Sequence, residues 1–95
     1  MARWWVSWYE PSEDYRPVTW PLPPEVAGYW CSGHEWGGAQ RATLCAVVDS
    51  ESDVAARRVI NAAWAHDGSI DWRFCDEQPA DWMPPDDRFP HKGFV

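Results

Sequence analysis

The 95-residue chain is short of positive charge. Eight Lys and Arg stand against fifteen Asp and Glu, for a formal net charge of −7 and a pI near 4.7. A protein that grips nucleic acid irrespective of sequence needs a basic footprint, and so does one that lies on an anionic membrane. Neither partner fits. The mean hydropathy is −0.56, and no apolar stretch approaches the roughly 18 residues of a membrane helix. The opening MARWWVSWYEPSEDYR has no continuous apolar run, because Glu10 interrupts it. An export signal is therefore not expected, and the expectation is a cytoplasmic protein. Cysteine is scarce and odd in number: Cys31, Cys45 and Cys75. That count, without an export signal, points to reduced thiols in a reducing compartment. There is no internal repeat, and length limits the chain to a single domain, residues 1–95, with one modest core.

Recognisable catalytic signatures are also missing. Cys31-x-x-His34 with Cys45 and Cys75 would make four soft zinc ligands, but a structural zinc site normally has two closely spaced pairs and here only one exists. The preferred reading is three core thiols, since a free Cys packs as a small hydrophobe. The three thiols with His34, His66 and His91 contain the ingredients of a Cys–His nucleophile, yet no local motif surrounds them, and nearby acids raise a thiol pKa. Glu10, Glu13 and Asp14 beside aromatic residues resemble a glycosidase or sugar platform, a pairing that any acidic, aromatic chain offers by chance. GHEWGGAQR has glycines but joins two strands and lacks the lysine of a phosphate loop. No cofactor, no metal and no catalytic residue is expected.

What is abundant is tryptophan and proline, nine of each. Residues 3–10, RWWVSWYE, alternate as a strand, with Trp4, Val6 and Trp8 on one face and Trp5, Ser7 and Tyr9 on the other. The first set is expected in the core and the second partly open. Residues 11–27 hold five prolines and read as an ordered loop pinned by Tyr15, Trp20 and Leu22. GYWCSG (28–33) and ATLCAVV (42–48) read as an antiparallel hairpin turning at Gly37-Gly38. Centring it on Gly38 sets Cys31 opposite Cys45. Residues 50–65 read as a helix with Ser50 as N-cap; Ala55 or Ala56, Val59, Ile60, Ala63 and Trp64 form its apolar stripe, and Arg57, Arg58 and Asn61 face water. IDWRFC (70–75) is the last strand, with Trp72 and Phe74 on one face and Asp71, Arg73 and Cys75 on the other. The Pro-rich tail 76–95 is anchored by Trp82 and Phe89. The order β-β-β-α-β implies an α+β domain: a mostly antiparallel four-stranded sheet with the helix packed on one face.

One face of such a sheet is left for the loop, the tail, a second copy or a partner. Trp4, Trp8, Trp30, Trp64 and Trp72 suffice to fill the core, which leaves other rings for recognition. Aromatic residues and Arg dominate interface energetics. The candidate binding residues are Trp5, Tyr9, Glu13, Asp14, Tyr15, Arg16, Trp20, Trp36 and Arg41. The Pro-stiffened stretch EPSEDYRPVTW is expected to be the recognition element, because a rigid loop loses little entropy on binding. The competing view is that Tyr15 and Trp20 only staple the loop over the sheet. The acids at 10–14 and at Asp76, Glu77, Asp81, Asp86 and Asp87 read first as a solvated face, and second as a site for a basic partner.

The blocks RWWVSWYEPSEDYRP, GYWCSG, LCAVVDSES and WRFCDE, in that order across about residues 3–77, resemble small uncharacterised proteins encoded by bacteriophages and prophages. The resemblance brings no functional residues with it. It implies expression inside an infected bacterium, where small acidic phage proteins bind and block host factors, defence systems included. The expected function is thus a non-enzymatic phage accessory protein acting in the host cytoplasm on a host protein. The alternative is a small-ligand or nucleotide-signal sponge using stacked aromatics with Arg16, Arg41 or Arg73; a small zinc protein or hydrolase comes third. Homodimers and higher oligomers stay open.

Overall fold

The computed structural model describes residues 1–10, 17–19, 21–34, 42–64 and 70–84. Four strands and one helix follow in the order β1 (Ala2–Glu10), β2 (Val26–His34), β3 (Ala42–Ser50), α1 (Asp53–Trp64) and β4 (Asp71–Gln78). All pairings are antiparallel, in the sheet order β2-β3-β1-β4. The chain is therefore the expected small α+β domain. The aromatic opening is a central strand: β1 lies between β3 and β4, which explains its freedom from proline and its density of large side chains.

The helix packs on the β1 face formed by Trp4, Val6 and Trp8. Val6, Trp8, Leu44, Ala46 and Val48 meet Ala56, Ile60, Ala63 and Trp64, all fully buried, with Trp4, Leu22, Val26, Tyr29, Cys31, Trp72 and Cys75 packed around them. The indole of Trp8 meets that of Trp64 edge-on at 5.0 Å, and Tyr29 meets Trp64 at 5.2 Å. The expected apolar stripe of the helix is the observed one. Arg58 and Asn61 are exposed as expected. Arg57 instead lies over the Trp72 ring at 5.1 Å, where its cation is attracted by the π face. Part of the Pro-rich loop returns to this side, since Val18 N donates to the Ala63 carbonyl at 2.6 Å.

The N-cap is Ser52, not Ser50. Ser52 Oγ accepts the Ala55 N–H at 3.1 Å and its carbonyl accepts the Ala56 N–H at 2.9 Å. Ser50 is still in β3, where its carbonyl accepts the Trp4 indole N–H at 3.1 Å. The strand runs two residues beyond the expected 48 because Ala2 and Arg3 extend the ladder opposite Ser50 and Asp49. Ser52→Ala is expected to destabilise the fold by about 1 kcal/mol and Ser52→Gly by only a few tenths. Chemical denaturation of the two variants checks this, and equal losses would remove the cap from the account.

Two register details also differ from the alternation read in the sequence. In the β2–β3 pair, Cys31 stands opposite Leu44 and Trp30 opposite Cys45, with irregularities at Val26/Gly28 and Cys31/His34. Cys31 therefore joins the helix side and Cys45 the other side. Cys75 lies on the helix side as well, on β4, with β3 and β1 between it and β2. Neighbouring strands are about 4.8 Å apart, so Cys31 and Cys75 are too distant to share a metal, and Cys45 faces away from both. That placement separates the donors of the zinc alternative. In β4 a bulge between Ser7 and Trp8 of the partner strand leaves Arg73 as the extra residue: Ser7 pairs with Phe74 and Trp8 with Trp72. Trp72 and Cys75 face the helix, while Phe74 faces away from it, so Trp72 and Phe74 do not share the face that strict alternation assigned them.

Candidate binding face

The sheet face without the helix is built by Arg3, Trp5, Ser7 and Tyr9 of β1. It has a second small core of its own. Trp5 and Val47 are fully buried there with Cys45 and Trp30, and Phe74 and Trp82 pack against them. The expectation that Trp5 is partly available is overturned. Its indole is enclosed by Trp30 at 5.8 Å, Phe74 at 6.3 Å and Trp82 at 5.5 Å, and its exposure is 0%. Trp4, placed on the helix face, is the half-buried one.

Trp82 reaches Trp5 because the chain reverses just after β4. Trp82 N donates to the Pro79 carbonyl at 3.1 Å, and Asp81 takes φ 65°, a left-handed conformation that Asp tolerates better than most residues. Arg3 holds the result in place. Its Nε and Nη2 donate to the two Asp49 carboxylate oxygens, both at 2.8 Å, and its Nη1 donates to the Trp82 carbonyl at 3.0 Å. The bidentate bond follows from register, since Arg3 and Asp49 are direct cross-strand partners. It holds the Asp49 carboxyl below the usual carboxylate range and the Arg3 guanidinium above its own.

Further along the face lies a polar knot. Ser7 Oγ donates to the Leu44 carbonyl at 2.7 Å and accepts from Arg73 Nη1 at 3.2 Å and from the Cys45 thiol at 3.3 Å. Ser7 is fully buried, so this network satisfies a hydroxyl that would otherwise be left unpaired in the core. Desolvation pushes the Cys45 thiol up to about 11, against the smaller opposing effects of Ser7 and Arg73. The thiol is thus protonated and unreactive at neutral pH. Two results are expected. Iodoacetamide should alkylate Cys45 in the native protein far more slowly than the half-buried Cys31 and Cys75, which peptide mapping resolves. Stability should also fall as pH rises from the unfolded thiol value near 8.5 toward 11, because the folded state then holds a proton that the unfolded state has released. Rapid labelling of Cys45 in the native state would contradict both.

Above this knot sits the outer layer of the face. The Arg73 guanidinium lies over the Tyr9 ring at 5.4 Å and over the Phe74 ring at 5.5 Å. The bulge puts it there, because Arg73 as the extra residue lies beside Phe74 on the side away from the helix. Tyr9, Arg73, Phe74 and Trp82 are all half-buried. Asp71 stands opposite Tyr9 and Asp76 opposite Trp5 in the β1–β4 ladder, which adds acids along the same edge.

Of the residues singled out from sequence, Tyr9 is on this face and Trp5 beneath it. Glu13, Asp14, Tyr15, Arg16, Trp20, Trp36 and Arg41 lie outside the described residues, as does Phe89 of the tail. Of the loop expected to be the recognition element, residues 11–16 and 20 lie outside them, and its described stretch 17–19 meets the helix end through Val18. Phe74 and Trp82 were not among the binding candidates. Their signal was an aromatic at a strand end and another just past it, which does not say that a turn brings them together. A comparison with known protein families, with curated proteins and with solved structures finds no match in any of the three. No helix among the described residues is long and apolar enough to cross a membrane.

Proposed function

We propose that this chain is a non-enzymatic binding protein that acts by occupying a protein partner, with the helix-free face as its contact surface. In the phage setting that the sequence resemblance implies, the partner is a host component, such as part of a bacterial defence system. The observation that carries the reading is the layer of Tyr9, Arg73 and Phe74 beside Trp82, half-buried and stacked, on a rigid sheet. These are the residue types of interface hot spots, and their rotamers are already fixed by the stacking, so ordering them on binding loses little entropy. The acids Asp71 and Asp76 along the edge, with the net charge of −7, favour a partner with a basic patch.

A small-ligand sponge asks for rings and arginines around a pocket. The depression of about 570 Å³ at the start of β1 is lined by Met1, Ala2, Arg3, Glu51, Glu77, Gln78, Pro79 and Ala80, with no aromatic ring among them. Its one cationic side chain, Arg3, is already bound to Asp49 and to the Trp82 carbonyl. This depression, among the described residues, is therefore not the ring-and-arginine pocket a sponge would use. The test is site-specific photo-crosslinking in bacterial cells. A benzophenone side chain replacing Tyr9 should trap one host protein, and the same group at the exposed Arg58 on α1 should not. Equal crosslinking from both positions, or none from position 9, would reject the helix-free face as the contact surface.

A further inference from the structure

We infer that the outer edge of β2 is a self-association site, through which two copies of this chain join their sheets. β2 and β4 are the two edge strands, each with a neighbour on one side only among the described residues. An edge strand presents a row of backbone donors and acceptors that another strand can complete. The two edges differ in how they treat a second copy. β4 carries Asp71, Asp76 and Glu77, and pairing it with itself would bring those carboxylates of two −7 chains together. β2, VAGYWCSGH, has no Asp, Glu, Lys or Arg across its nine residues. It is the edge at which two highly acidic copies can meet with least repulsion. It also carries no lysine, proline or inward-pointing charge of the kind that keeps edges apart, and between its register shifts at Val26/Gly28 and Cys31/His34 the stretch Gly28–Cys31 is regularly paired strand.

Antiparallel pairing of a strand with its own copy is symmetric, so the contact is isologous and closes as a dimer. The two-fold axis then runs perpendicular to the sheet. Both helices fall on one side of a continuous eight-stranded sheet, and both helix-free faces fall on the other. This inference stands apart from the proposed binding of a partner protein, since the edge and the face are different surfaces.

Sedimentation equilibrium tests it together with hydrogen exchange. The apparent mass should rise with concentration from the 11.0 kDa of one chain toward twice that value. Amides of residues 26–34 should gain protection over the same range, while those of β4 should not. Ala27 is exposed at the start of β2, so Ala27→Glu is expected to leave the circular dichroism spectrum unchanged. It would place a carboxylate in the seam of each copy and weaken association by about tenfold or more. Glu77→Gln on β4 is expected to leave it unchanged. A chain that stays at monomer mass up to about millimolar concentration, where even a weak specific contact would show, overturns the inference. So does a dimer whose protection falls on β4 or α1, or one that folded Ala27→Glu does not weaken.

Discussion

Trp5→Ala is expected to destabilise the protein by about 3–5 kcal/mol, as much as Trp8→Ala. The two side chains lie on opposite faces of β1, and both are fully buried. Trp8 is covered by the helix through Trp64 at 5.0 Å, and Trp5 by Trp30, Phe74 and Trp82 at 5.5–6.3 Å. Each substitution empties a large aromatic volume from a centre that can collapse only partly, because β1 has a strand on either side of it. Against a typical total stability of about 5–15 kcal/mol, either change is severe. Neither indole N–H meets a hydrogen-bond acceptor among the described residues, so phenylalanine at position 5 or 8 gives up packing area but none of those bonds, and its loss should be much smaller than that of alanine. Chemical denaturation of the four variants measures this. A Trp5→Ala loss well below that of Trp8→Ala would mean that the Trp82 turn does not close over the sheet.

That equality was not legible in the sequence, and the reason is physical. Alternation in RWWVSWYE sorts the side chains correctly into two faces, because the period of a strand is fixed by its pleat. It does not say what covers each face. The helix stripe of Ala56, Ile60, Ala63 and Trp64 announces a cover for one of them. The cover of the other depends on a reversal at Asp81 and on Arg3 reaching the Trp82 carbonyl, both set by tertiary placement. Register failed for a related reason. The Gly37-Gly38 pair marks a turn without fixing its length, and a slip of one residue moves Cys31 from the Cys45 side to the opposite face. Likewise a bulge adds one residue without a mark in IDWRFC, so strict alternation sets Arg73 and Phe74 on opposite faces, whereas in the fold they lie side by side. The fold class was readable because element order and type suffice for it. The candidate face was only half readable, since Tyr9 comes from periodicity, whereas Arg73 and Trp82 come from a bulge and a turn.

The second large effect is expected on binding. Tyr9→Ala with Arg73→Ala removes the stack at the centre of the helix-free face and leaves the Trp5, Trp30 and Val47 core beneath it in place. Removing Arg73 also takes one donor from Ser7 Oγ, which keeps its bonds to the Leu44 carbonyl and the Cys45 thiol. The hydroxyl stays satisfied, so the stability loss should be modest beside that of Trp5→Ala. Hot-spot pairs of this kind are worth about 2 kcal/mol or more, roughly a thirtyfold change in affinity. Arg58→Ala, on the exposed side of α1, is the matched control and should change nothing.

The most direct measurement is therefore the affinity of the crosslinked host protein for three folded chains, by titration calorimetry at temperatures well below each melting point: the native protein, Arg58→Ala, and Tyr9→Ala with Arg73→Ala. The account predicts equal binding by the first two and a loss of roughly thirtyfold or more for the third. Undiminished binding by the double variant would contradict it and leave the aromatic face as nothing more than the cover of a second core.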